Sequence, residues 1–333
     1  MFVLLALLSA FCATVPMLTF LAAVWFFDRH EREPLWLFLL TFAWGAIGGV
    51  IFAMIGSTAL QMPLTFALGA SMADQYSAVL IAPLVEEPTK AAILFAIMFS
   101  RHFDNATDGF VYGAAAGLGF GMTENFLYFL TVAASGDVWG WMFTVVIRTF
   151  FSAVMHGCAT SCVGAMLGFA RFRGVGWKIA ALPIGFGVAM GIHALWNGML
   201  TAGEVLSIDW FSWANFAMFA GEFAIIILVF QLALWDERAT IRRELADEVT
   251  EGLLPLSHAK AIGSYLRRSR PGWVPRGIPQ RQYVRAVTTL ALRKHQSRNC
   301  SKRSYAFYAD EVVRLRREVS SLLKLAKPAS PPG

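Results

Sequence analysis

The 333-residue chain is 57% hydrophobic and 15% charged, with a mean hydropathy of +0.55, which excludes an ordinary soluble domain and places it among membrane proteins. The net charge of +6 is uneven: residues 1–235 hold 8 Lys/Arg against 13 Asp/Glu, and residues 236–333 hold 20 against 9. Cys158 and Cys162, at i, i+4 in an apolar run, share a helix face as small core residues and do not form a disulfide framework.

Seven apolar runs follow one another at 2–27, 35–60, 76–99, 110–134, 141–170, 179–202 and 211–235. Each has about 20 residues or more, enough to cross a hydrocarbon core of about 30 Å. The expected fold class is therefore all-α, a polytopic bundle of about seven transmembrane helices. The first run has no basic stretch before it and is read as a retained span. Loop cations concentrate in DRHERE (28–33) and RFRGVGWK (171–178), whereas the loops near Asp74, Asp137 and Glu204 are acidic or lack Lys and Arg. The asymmetry predicts a multi-pass membrane protein with its N-terminus outside and its C-terminus in the cytoplasm.

The third run contains Glu86, Glu87 and Lys90 in LVEEPTKAAILF, with both carboxylates one turn from the ammonium. Pro88 removes a backbone donor there and is expected to kink the helix. The fourth run has Gly113, Gly117 and Gly121 at four-residue spacing, a close-packing face, followed by Glu124 and Asn125. The fifth has Arg148, His156 and Thr160 near one face, and the sixth has His193 and Asn197 one turn apart. Beyond Trp235 the pattern turns charged and amphipathic, with helical stretches near 279–298 and 305–327 and a PASPPG end expected to be disordered. Residues 1–235 thus form a transmembrane catalytic domain and 236–333 a basic cytoplasmic tail. Anionic lipid is an admissible partner for that tail, and nucleic acid is disfavoured.

Ionisable groups within spans are rare and line cavities or pathways. Singly, each could be a satisfied interhelical partner. Gathered on four helices they supply a carboxylate base for water, histidines to orient it or bind metal, and an amide for an oxyanion. Glu222 and Arg148 are assigned to structure. The catalytic set is Glu86, Glu87, Lys90, Glu124, His156, His193 and Asn197. Zinc is admitted through His156, His193 and Glu124, but no His-x-x-x-His or Glu-x-x-His occurs on one of these helices and Lys90 would repel a cation. Catalysis with no cofactor, by a glutamate-activated water, is therefore favoured.

EEPTK (86–90), FGMTE (120–124), HGCAT (156–160) and HALWN (193–197), in this order, resemble the PrsW family of intramembrane proteases, as does DRHEREP with Asp28, Glu33 and Pro34. The resemblance covers about residues 20–200. It implies peptide-bond hydrolysis in a membrane-anchored protein substrate within the lipid bilayer, and a distant relation to the type II CAAX prenyl endopeptidases. Glu124 stands where those enzymes carry a histidine, which argues against prenylated substrates. The alternatives are an ion- or proton-coupled transporter, which would more often show two related halves, and a non-catalytic membrane scaffold.

Overall fold

A computed structural model describes residues 1–27, 33–100, 102–207, 209–300 and 302–326. Asp28 and the PASPPG end lie outside them. The apolar part is a series of helical rods: α1 (Phe2–Phe27), α2 (Leu35–Leu68), α3 (70–97), α4 (Ala106–Ser135), α5 (Val138–Arg171), α6 (Val175–Leu206) and α7 (Asp209–Thr250). Among the described residues, five of these (α1, α2, α5, α6 and α7 from Ala217) are long and apolar enough to cross a membrane, where the sequence suggested seven. α3 falls outside that group because Glu86, Glu87 and Lys90 interrupt its apolar run. Two compact units divide the chain, one of residues 1–171 and 175–230, the other of 172–174 and 231–333.

In the first unit α4 is the central helix, buried continuously from Ala106 to Gly121. Asn105 starts it: its side chain accepts from the Thr107 and Asp108 amides, and Asp108 accepts from the Asn105 amide in return. Gly136, at φ 77°, ends it in a left-handed turn. The glycines of α4 meet the backbone of α5. A Cβ on Gly117 would lie 2.2 Å from the His156 carbonyl oxygen, and one on Gly113 2.5 Å from that of Thr160. On the opposite side Gly119 faces the Phe42 carbonyl of α2, where a Cβ would stand at 2.0 Å. Small residues thus let both neighbours approach to backbone contact, and this carries His156 up against the α4 residues that follow.

Three rods contain a π-helical turn: Trp44–Gly49 in α2, Ser77–Ile81 in α3 and Arg148–Ser152 in α5. The irregularity in α3 thus sits before the glutamates. The helix runs through Pro88 from Ala82 to Ile97.

The second unit is a helical assembly with its own apolar core. α8 (Leu256–Ile262), α9 (Tyr265–Ser269), α10 (Gln280–Asn299) and α11 (Lys302–Leu323) join the end of α7. Ile241, Leu245, Val287, Leu290, Leu315 and Val319 form its apolar centre. Beside them Glu248 is fully buried and paired with Lys294 (2.6 Å) and Arg316 (2.7 Å).

Candidate active site

The four helices named from the sequence converge on Lys90. Its ammonium, without solvent exposure, donates to Glu87 Oε1 (2.8 Å), Glu86 Oε2 (3.1 Å) and His156 Nδ1 (2.9 Å). It also lies 4.0 Å from the centre of the Phe120 ring. An ammonium this far from water needs such compensation, since desolvation of an unpaired charge is prohibitive.

Glu87 is saturated. Oε1 faces Lys90 and His193 Nδ1 (2.9 Å), and Oε2 accepts from Thr160 Oγ1 (3.1 Å). Glu86 has no such enclosure: its side chain is 14% exposed, and His193 Nε2 stands 3.8 Å from its Oε2. Glu124 Oε2 lies 2.5 Å from His156 Nε2 and 2.9 Å from Arg148 Nη2, with 21% of the side chain exposed. The two imidazoles are perpendicular, with ring centres 5.1 Å apart. The open edge of the cluster is therefore made by Glu86, Glu124 and Arg148, and its floor by Glu87, Lys90 and Thr160.

Hydrogen bonding assigns the tautomers. With Lys90 donating to Nδ1, His156 carries its proton on Nε2 and gives it to Glu124. Glu87 accepts from Nδ1–H of His193, which leaves His193 Nε2 as a bare acceptor directed at Glu86.

Two asparagines fasten the helices by backbone bonds at π turns. Asn197 Nδ2 donates to the Ala78 carbonyl (2.8 Å), and Asn125 Nδ2 to the Arg148 carbonyl (3.2 Å), while Arg148 Nε donates to Asn125 Oδ1 (3.2 Å). Asn197, chosen from the sequence as an oxyanion donor, is engaged here as a clamp between α6 and α3. Arg148, assigned to structure, belongs to the cluster. The signal for it was its shared face with His156 and Thr160. Glu222 stays apart, buried in α7 with both oxygens unpartnered and its carbonyl 3.7 Å from Cys158 Sγ. Glu33 in the first loop accepts from Tyr112 Oη at 2.6 Å.

Among the described residues, one group offers three mutually close metal-ligand atoms: Glu86, His156 and His193, all within 4.8 Å of one another. The trio suggested by the sequence had Glu124 in the place the geometry gives to Glu86.

A family model described as PrsW family intramembrane metalloprotease matches residues 33–233. A protein named Protease PrsW from Geobacillus kaustophilus is 28% identical over 178 residues, 53% of this chain and 72% of its own. The Bacillus subtilis protein of that name is 25% identical over 204 residues, covering 59% and 84%. One from Clostridioides difficile is 36% identical over 102 residues, covering 30% and 42%. No solved structure matches the chain.

Proposed function

The chain belongs to the PrsW family of intramembrane proteases, and from that premise we propose that Glu86 activates the water that hydrolyses a peptide bond in a membrane-anchored protein. The observation that carries this reading is the contrast between the two glutamates: Glu87 has every oxygen occupied, whereas Glu86 is open to solvent opposite the bare Nε2 of His193. A gap of 3.8 Å between two acceptors suits a bridging water, which gives one hydrogen to each.

The water oxygen attacks the scissile carbonyl carbon as Glu86 takes a proton. Collapse of the tetrahedral adduct breaks the C–N bond, and Glu86 returns that proton to the leaving amine. Arg148, on the open edge, supplies positive charge for the developing oxyanion. Lys90 holds the Glu86 side chain in place by their ion pair. Glu87 and Thr160 act as positioning residues for Lys90 and His193, and Asn197 fixes α6 against α3. Glu124 orients His156.

The donor chemistry also fits a divalent ion such as zinc. His193 presents Nε2 while its Nδ1 is backed by a carboxylate, the arrangement usual for a metal-bound imidazole. Glu86, His156 and His193 would hold the ion, which when bound supplies an acidified water and polarises the carbonyl. The metal-free reading is preferred because Lys90 already donates to two of those three side chains.

The N-terminus lies outside and residues 236–333 in the cytoplasm on this reading, with α3 and α4 crossing the bilayer despite their polar groups. The test of function is quantitative membrane proteomics on cells carrying wild-type enzyme or Glu86→Gln. A membrane-anchored protein that accumulates at full length only in the variant supports the proposal. Identical membrane proteomes from equal amounts of folded enzyme overturn it.

A further inference from the structure

We infer that the corner of the second unit formed by residues 256–285 docks onto an anionic bilayer surface. The sequence within and beyond it is one-sided: from residue 252 to 309 there is no Asp or Glu, against 12 Lys/Arg. Much of the rest of the unit neutralises itself. Lys294, Arg298 and Arg268 are spent on Glu248, Glu244 and Glu237. Lys260, Arg267, Arg270, Arg276, Arg281 and Arg285 are exposed.

The segments that carry these six cations are tied together at one corner. His258 of α8 and Tyr283 of α10 share a 2.8 Å hydrogen bond, and the Trp273 ring lies 5.6 Å and 6.3 Å from theirs. Gln280 Nε2 donates to the Arg270 carbonyl at 2.7 Å, tying the end of α9 to the start of α10. Lys260 follows His258 by two residues, and Arg281 and Arg285 occupy successive turns of α10.

Two apolar side chains stand out among the cations: Leu256 is 56% exposed and Leu266 71%. A surface for nucleic acid or an acidic protein in water has no use for them, whereas at a headgroup layer they enter hydrocarbon while the cations meet phosphate. The unit is covalently joined to helices that cross a membrane, so the bilayer is present at high effective concentration. The family match ends at residue 233, so this surface belongs to the chain's own extension.

The test uses the full chain in lipid nanodiscs. Cys12 and Cys300 are replaced by Ala, and an environment-sensitive fluorophore is attached at Leu266→Cys. In discs containing phosphatidylglycerol the emission should shift to the blue and be quenched by a lipid-borne quencher. In phosphatidylcholine discs or at high salt it should not. Each of Arg267→Gln, Arg270→Gln, Arg281→Gln and Arg285→Gln should reduce the docking equilibrium constant, the ratio of docked to undocked, about fivefold, with circular dichroism unchanged because these side chains lie outside the core. Equal emission in the two kinds of disc, or a shift produced by an added RNA oligonucleotide and not by anionic lipid, would overturn the inference.

Discussion

The two adjacent glutamates should separate into a residue needed for chemistry and one needed for integrity. Glu87→Gln removes a charge that accepts from Lys90, His193 and Thr160 at 2.8, 2.9 and 3.1 Å in a fully buried place. Breaking a buried ion pair from one side costs about 3–5 kcal/mol. Because Glu86 remains within 3.1 Å of Lys90, the lower end, about 3 kcal/mol, is expected. Glu86→Gln leaves Lys90 paired with Glu87 and alters a side chain with 14% exposure, so its destabilisation should stay near 1 kcal/mol. Unfolding in detergent, followed by thermal scans, measures the first difference. Cleavage of the accumulating substrate measures the second, with Glu86→Gln inactive although folded. An active Glu86→Gln enzyme, or a Glu87→Gln enzyme as stable as wild type, would refute the division of roles.

Gly117→Val should destabilise the bundle by about 1–3 kcal/mol and abolish cleavage, because its Cβ would lie 2.2 Å from the His156 carbonyl oxygen; Gly187→Ala, with open space around it, should be neutral in the same scans. Purified enzyme should keep its activity after exhaustive chelation, and complete loss restored by stoichiometric zinc would instead make Glu86, His156 and His193 ligands. In the second unit, burial holds the His258 imidazole below its ordinary value of 6.5. The unfolded chain then takes up the proton first, so this unit should lose stability as pH falls from 6.5 towards the lowered value. Hydrogen exchange of α8 and α10 at pH 7 and pH 5 reads that loss, and His258→Gln should remove it. A cysteine at 205–208 should react with an impermeant reagent from outside the cell and one at 240 should not; the opposite pattern would reverse the topology.

Much of the site was legible because intramembrane charge is conspicuous. Glu86, Glu87, Lys90, His156 and His193 stand out against apolar runs, and i, i+4 spacing already paired Lys90 with its glutamates. The glycine spacing of α4 likewise announced close packing, though not that the partner would be the backbone of His156. What stayed hidden depends on tertiary register. Nothing local distinguishes Glu87 from Glu86; only the hydroxyl of Thr160 and the ring of His193, 73 and 106 residues away, do so. Arg148 was placed on the His156 face by α-helical counting, but the π turn at Arg148–Ser152 inserts one residue between them. That rotates Arg148 by about 100° relative to a regular helix and turns it further towards Glu124. The count of charges in residues 236–333 could not show which cations are neutralised, because Glu237, Glu244 and Glu248 lie on α7, well before the Arg268, Arg298 and Lys294 they bind.

The asparagine clamps have a consequence for how such a site can change. Asn197 and Asn125 grip carbonyl oxygens of positions 78 and 148, and a carbonyl is supplied by whatever residue stands there. Position 78 can therefore exchange its alanine for another small side chain without loosening the grip. Asn197 itself has no such freedom, since an aspartate in its place would bring two acceptors together. The residue five after the gripped carbonyl, position 83, is already a proline with no N–H to offer, and the Ala82 amide is spent on the Ser77 carbonyl, so Asn197 supplies the Ala78 carbonyl with a donor from outside its own helix. Drift is thus permitted on one side of each clamp and barred on the other, and the register of the catalytic helices survives changes in the residues that line it.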